Sequence, residues 1–341
     1  MERDRTTLVT GAAGFVGRHL VGRLARAGVR VRAVVLPGED ASALASLGAE
    51  VVRADVARPE TLPPLFGGAV DRVFHLAAIC NLTTRYRALR PVNVEGVSNV
   101  ARLARDAGVR RFVHVSSTSV YGRYRGEPFV EDSPRNPRDD YGRSKRDGED
   151  ALFDFVAKGL SAVVLRPCTV YGPGCNDGAG KVFSRPLPLA AIPGSGRQRL
   201  ANVRVEDVVE AAIHLCDLDD ASGCAFNVVD ESSPTLAEAL ALAAEAFGTE
   251  RPRVRVPLAL VKLSARLERR RALREGRIPA LELDAVRHLD GDYVVDGTRL
   301  RETGFRLRHP DFEESIRSLG AGHPDTDRQR HASRENPCKP S

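Results

Sequence analysis

At 341 residues the chain exceeds the length that one hydrophobic core usually serves, so two lobes or two domains are expected. Hydrophobic residues at 42% and charged residues at 28% are ordinary globular values, while the absence of Trp and only 5% aromatics leave no stacking platform for single-stranded nucleic acid. The formal charge of +6 is modest, and much of the basic excess lies in Arg266–Arg277 and Arg328–Lys339, where a solvated helix face and a disordered end account for it without nucleic acid.

Six cysteines, Cys80, Cys168, Cys175, Cys216, Cys224 and Cys338, are scattered with no C-x-x-C pair, which argues for reduced structural thiols and against a disulfide framework or a metal centre. His75 reads as a buried strand residue, not a metal ligand, since no second ligand stands at suitable spacing. No apolar run reaches the roughly 18 residues a bilayer span requires. A cytoplasmic protein with no membrane or nucleic-acid partner is expected.

Along the chain, strand-length apolar runs alternate with helix-sized segments. Leu8–Thr10, Val29–Leu36, Glu50–Ala54, Arg72–Leu76, Phe112–Val115 and Ala162–Leu165 are the expected strands, and Gly14–Ala27, Pro91–Ala107 and Tyr141–Ala157 the expected helices. Regular β-α alternation predicts an α/β fold, a doubly wound parallel sheet with both faces covered, as a dinucleotide-binding domain over residues 1–167. After Pro167 come Gly- and Pro-rich stretches, Tyr171–Gly180 and Pro186–Gly196, broken by helices near Glu206–Cys216 and Thr235–Phe247. This pattern predicts a smaller, mostly helical substrate lobe over residues 168–320, with strands near Val205 and Phe226–Val228 returning to the main sheet. Residues 321–341 lack periodicity and are expected to be a disordered tail.

The first strand runs into Gly11-Ala12-Ala13-Gly14-Phe15-Val16-Gly17 and then a helix. Strand, Gly-rich turn and helix in that order let backbone N–H groups and the helix N-terminus meet a pyrophosphate. Gly11 would make the tight turn, Gly14 the close approach to the ligand, and Gly17 the close packing of helix on strand. Asp55, closing the third strand, could accept from an adenine amine or cap the turn before Pro59. Tyr141 and Lys145 stand four apart at the start of a helix, hence on one face. Upstream, the strand Arg111–Val115 ends in Ser116-Ser117-Thr118-Ser119-Val120-Tyr121-Gly122, at the sheet edge where such folds bind ligands.

Together with Phe74-His75-Leu76-Ala77-Ala78, Asn93-Val94-Glu95-Gly96 and Leu165-Arg166-Pro167-Cys168-Thr169-Val170-Tyr171-Gly172-Pro173-Gly174, these motifs resemble the extended short-chain dehydrogenase/reductase family. That group contains nucleotide-sugar epimerases and dehydratases and 3β-hydroxysteroid dehydrogenases, and the resemblance spans most of residues 6–320. It implies an NAD(P)-dependent enzyme, a homodimer working on a small molecule, in which Tyr141 is the general acid/base, its phenol lowered by the Lys145 ammonium together with the cationic nicotinamide, and Lys145 also holds the nicotinamide ribose. Ser117 matches the substrate-orienting hydroxyl, and Asn93 a position supporting the lysine through water, or else a helix cap. The implied cofactor site comprises Gly11, Gly14, Phe15, Val16, Gly17, Leu36, Asp55, Val56, Leu76, Ala77, Ala78, Asn93, Tyr141, Lys145 and Cys168.

Three departures narrow this. Thr118 and Ser119 stand where dehydratases carry acidic residues, which disfavours elimination and leaves epimerisation or dehydrogenation. Thr169 replaces an asparagine, and Arg199 only approximates an arginine, of sugar-diphosphate enzymes; a nucleoside-diphosphate sugar is the expected substrate, with a steroid-like or other ring alcohol as the alternative. Leu36 closes the second strand where NAD enzymes carry an acid, leaving NAD or NADP open with a lean to NAD; Glu39 and Asp40 are read as caps of the next helix. A non-catalytic dinucleotide-binding module is the reading from another class.

Overall fold

The computed structural model of the chain describes residues 5–80, 82, 84–176, 178–187, 191–275 and 288–322, so the expected tail lies, from residue 323, outside the described residues. The chain divides into two compact units, one within Met1–Cys168, Val205–Val229 and Val295–Arg306, the other within Thr169–Arg204, Asp230–Val294 and Leu307–Ser341.

The first unit is a seven-stranded parallel sheet. Its strands are β1 (Thr6–Thr10), β2 (Val31–Val35), β3 (Glu50–Arg53), β4 (Val70–His75), β5 (Arg111–Val115), β6 (Ala162–Pro167) and a late strand, Ala225–Val228. The spatial order, from the late strand through β6, β5, β4, β1 and β2 to β3, reverses direction between β1 and β4, the switch point where doubly wound sheets bind ligands. The strands β1, β2 and β6 are buried at every residue, as β-branched runs covered on both faces should be. Over one face lie α1 (Phe15–Arg26) and the helix Val205–Asp217; α4 (Gly96–Asp106) turns Val97, Val100, Ala101 and Ala104 inward at helical spacing. The long α5 (Asp140–Val156) is started by Asp139, whose carboxylate accepts the Gly142 N–H at 2.7 Å. The short α2 (Ser42–Ser46) lies between β2 and β3; between β4 and α4, α3 (Tyr86–Arg90) leads into a π-helical turn at Pro91–Glu95, so the helix expected over Pro91–Ala107 begins as a π turn, where Pro91 has no N–H to give, and continues as α4.

Two expectations about the later chain are corrected. Ala225–Val228 does join the main sheet beside β6, but the segment near Val205 does not: Val205 opens a helix, and the preceding Asn202–Arg204 pairs with Thr169–Tyr171 in a separate ribbon. Val295–Arg306, expected in the second lobe, belongs to the first unit, where Asn227 Nδ2 donates to the Asp296 carbonyl at 3.0 Å.

The second unit has short strands and helices. Thr169–Tyr171 with Asn202–Arg204, and Ala191–Pro193 with Val254–Val256, form two-stranded parallel ribbons. The helix Leu236–Ala246 begins with a reciprocal capping box between Thr235 and Glu238. The terminal helix Phe312–Ala321 packs on it so closely that a Cβ at Gly320 would fall 2.1 Å from the Ala246 carbonyl oxygen. Tyr171, Phe183, Leu240, Phe312 and Ile316 share that core.

Candidate active site

Every expected site residue lies at the C-terminal ends of the parallel strands or on the helices that follow them. Gly11, beyond β1, has φ +66°, and a Cβ there would lie 2.7 Å from the Ala77 N, so both backbone freedom and space require glycine. A Cβ at Gly17 would fall 2.2 Å from the Gly11 carbonyl oxygen; at Gly14 it would touch only that oxygen, at 3.1 Å, and Gly14 is exposed. The turn is thus compact on its inner side and open at Gly14. The helix α1 that follows has no side-chain cap and no acid in its first turn, so the N–H groups at Phe15, Val16 and Gly17 present the positive end of the helix to an anion. This cradle fits the pyrophosphate of a dinucleotide. Leu76 and Ala77 hang from β1, their N–H groups donating to the Thr10 carbonyl at 3.2 Å and the Thr10 hydroxyl at 3.3 Å, and Ala78 follows, half-buried.

Not all expected residues have free reach. Val56 is buried against α4, its carbonyl accepting from Asn99 at 3.0 Å, and a Cβ at Gly96 would overlap its side chain at 2.8 Å. Asp55 does not cap the helical turn at Pro59; its carboxylate accepts the Ala57 N–H at 2.9 Å within its own turn and keeps about a quarter of its surface exposed beside Arg58. Cys168, at the end of β6, is buried with its N–H on the Val228 carbonyl at 3.1 Å. Leu36 is 45% exposed at the end of β2. The expectation for Glu39 is corrected: Asp40 takes the Ser42 N–H at 2.9 Å, but the Glu39 carboxylate folds back to accept the Leu36 N–H at 2.8 Å. The Arg53 guanidinium closes the same turn through the Leu36 and Glu39 carbonyls, at 3.2 and 3.1 Å.

Ser117, Tyr141 and Lys145 meet. The first turn of α5 lies directly on the Ser117–Val120 turn, where a Cβ at Gly142 would fall 2.4 Å from the Ser119 carbonyl oxygen. That contact brings the Tyr141 side chain beside Ser117 and Cys80, both of which act on its acidity. Ser117 also donates to the Ser119 hydroxyl and accepts the Ser119 N–H, both at 3.1 Å. Lys145 is buried, and its ammonium donates to the Val115 carbonyl at 2.7 Å, leaving two of its three donors for a ligand. Burial pulls Lys145 down to about 8, against partial support from Cys80 and Glu149.

The electrostatics differ from the expected lysine-lowered phenol. Tyr141 is held well above its ordinary value, first by burial and then by Cys80, with Ser117 alone pulling it down among the leading influences. The reason is that both side chains are desolvated and the ammonium is turned to the Val115 carbonyl. Asn93 does not cap a helix; its amide oxygen accepts the Ile79 N–H at 2.8 Å and its amide N–H donates to the Ser144 hydroxyl at 2.9 Å, tying the loop after β4 to α5. A Cβ at Gly148 would sit 2.4 Å from the Asn93 carbonyl oxygen, so this clamp is tight.

Several participants escaped sequence reasoning. Cys80 sits five residues beyond His75, inside an otherwise featureless loop. Arg166 and Glu149 form a buried bidentate pair, 3.0 and 2.8 Å, one helical turn beyond Lys145; Arg166 also donates to the Tyr121 hydroxyl at 2.9 Å, which donates to Asn227 at 2.6 Å. His75 is fully buried as expected, with Nδ1 2.9 Å from the Thr10 hydroxyl, and burial and then Lys145 lower it to about 3, so it is neutral. Among the described residues no group of three or more His, Cys, Asp or Glu is placed to hold a metal ion.

The NAD dependent epimerase/dehydratase family matches residues 7–228. The chain belongs to that family. As a member it is an NAD-dependent enzyme of the extended short-chain dehydrogenase/reductase type. Similar proteins include a 4-hydroxy-2-methyl-3-oxo-4-farnesyl-3,4-dihydroquinoline-1-oxide ketoreductase of Stigmatella aurantiaca, 28% identical over 92% of this chain and 96% of that one. Sterol demethylase protein B of Methylococcus capsulatus is 30% identical over 87% of this chain and 92% of its own length. Among solved structures, UDP-glucose 4-epimerase of Thermus thermophilus in complex with NAD superposes with a TM-score of 0.73 at 25% identity, covering 95% of this chain and 99% of that one.

Proposed function

We propose that this family member transfers hydride reversibly at a secondary carbinol or ketone carbon, with Tyr141 moving the proton, Ser117 orienting the reacting oxygen and Lys145 holding the nicotinamide ribose. The observation that carries this is the close packing of the first turn of α5, which bears Tyr141, on the Ser117–Val120 turn at the ligand-binding edge of the sheet, with the Lys145 ammonium one turn along α5 on the Val115 carbonyl. A bound nicotinamide supplies or accepts the hydride. Burial keeps Tyr141 a phenol, which suits it to donate to a ketone oxygen during reduction, while Ser117 gives a second donor to that oxygen. In the opposite direction Tyr141 must lose its proton, and a positive charge beside it favours that loss. The two spare donors of Lys145 suit a pair of ribose hydroxyls.

NAD is favoured over NADP. The Glu39 carboxylate sits on the Leu36 N–H, at the strand end where a 2′-phosphate would lie, and repels it.

A non-sugar alcohol or ketone with an apolar body is the favoured substrate. Thr118 and Ser119 offer no carboxylate for elimination; Thr169 and the exposed Arg199 offer a sugar diphosphate neither the asparagine nor the positioned arginine of its usual binders. The ketoreductase and sterol-demethylase relatives support this reading. A nucleoside-diphosphate sugar is the second reading, supported by the likeness to the Thermus epimerase. The test incubates the protein with steroid and quinolone-type ketones and with UDP-glucose, following reduced-nicotinamide absorbance and product mass. Reduction of an apolar ketone with no conversion of UDP-glucose is expected. Conversion of UDP-glucose to its 4-epimer without net absorbance change would overturn the substrate reading, and loss of one water from it would overturn the chemistry.

A further inference from the structure

In the second unit the helix α6 spans Leu258–Arg274. Inward, Ala265 and Ala272 are buried and Ala265 packs with Leu258 and Val261. Outward, Leu260, Leu263 and Leu267 are 55%, 51% and 55% exposed. At about 100° per residue these three share one stripe, and Arg270, Arg271 and Arg274 continue the same stripe through the last turns. Single exposed leucines need no explanation, but three in register over two turns do. Six basic and only two acidic residues lie on 258–275, and one acid, Glu275, pairs with Arg271 at 2.8 Å on the surface, where such a pair is weak. No helix among the described residues is long and apolar enough to cross a membrane, so this one does not span.

We propose that this face docks on an anionic lipid surface, the leucines entering the headgroup boundary and the arginines meeting lipid phosphates. Exposed leucines beside clustered arginines suit a lipid surface, where apolar side chains can enter the headgroup boundary while basic ones meet anionic lipid phosphates. A second copy of the chain suits it less. A self-pairing seam needs apolar positions sustained over three or four heptads, and here arginines take over after about one heptad. The arginines also choose the sign of the partner: they are repelled by a basic face and drawn to phosphates. The inference does not rest on the hydride-transfer reading, though a membrane-docked enzyme would meet apolar substrates where they reside.

The experiment is vesicle flotation of the full chain with phosphatidylcholine alone and with an equal share of phosphatidylglycerol. Wild type is expected to float with the anionic vesicles and to be released by salt. Arg270→Gln/Arg271→Gln/Arg274→Gln should weaken anionic-vesicle binding about a hundredfold at low salt, from roughly fivefold per charge near the surface. Leu260→Ser/Leu263→Ser/Leu267→Ser should abolish flotation at every salt concentration. Both variants change exposed residues, so their circular dichroism, melting and NAD binding should match wild type. Absence of flotation with anionic vesicles overturns the proposal, as does flotation indifferent to the leucine changes. A wild-type dimer that the leucine variant splits, with no vesicle binding, would instead make the face a self-association surface.

Discussion

Lys145→Met is expected to make the protein more stable at neutral pH while weakening its hold on the cofactor. A buried ammonium whose pKa falls from 10.5 to about 8 costs the folded protein about 3 kcal/mol wherever both folded and unfolded chains keep the proton. Methionine of similar length removes that cost but leaves the Val115 carbonyl without its 2.7 Å donor, a loss of about 1 kcal/mol. The net gain is about 2 kcal/mol at pH 7. Its pH dependence has a definite sign. Below about pH 8 the cost to wild type is complete; between 8 and 10.5 the folded chain releases its proton before the unfolded chain does, so wild-type stability rises with pH. Above that window only the lost hydrogen bond remains, and the variant becomes less stable by about 1 kcal/mol. Urea unfolding of both proteins at pH 7 and pH 10, read by circular dichroism, measures the difference, and titration with NAD measures the loss of binding. A variant less stable than wild type at pH 7, or a difference unchanged between the two pH values, would refute the assigned desolvation.

Tyr141→Phe should lower turnover by about a hundredfold or more while changing NAD affinity little, since only the proton-carrying hydroxyl is lost; near-normal turnover would remove Tyr141 from the chemistry. Glu39→Gln keeps an acceptor for the Leu36 N–H but drops the charge, and should improve NADP binding relative to NAD by about tenfold, read from the two dissociation constants; an unchanged ratio would make Glu39 a turn residue only. Cys80→Ala removes the second-largest influence raising Tyr141, so the rate of alcohol oxidation, which needs the phenolate, should begin to rise at lower pH; a superimposable pH–rate profile would uncouple the thiol from the tyrosine.

How much of this was legible in the chain follows from the reach of each interaction. The Gly11–Gly17 turn and the Tyr141–Lys145 pair depend on backbone geometry and helical spacing within seven residues, so residue types alone disclose them. Ser117 was legible because it ends a recognisable strand. The Arg166–Glu149 pair joins residues 17 apart, and the Tyr121–Asn227 bond residues 106 apart; nothing local to either partner marks them, and only the packing of α5 on β6, for the first, and the sheet order that seats Ala225–Val228 beside β6, for the second, bring them together. Glu39 shows a subtler failure. Counting along the chain puts it three residues past the strand end and makes it look like a cap, yet a turn held by Arg53 from the neighbouring strand brings its carboxylate back to Leu36. Sequence distance measured along an extended strand therefore overstates spatial distance once a turn intervenes, and a site at a strand end must be searched across the whole turn that follows. The same reasoning explains the segment near Val205: a three-residue strand such as Asn202–Arg204 has too few alternating positions to declare its partner, so its pairing with Thr169–Tyr171 is decided by the packing around it and not by its own pattern.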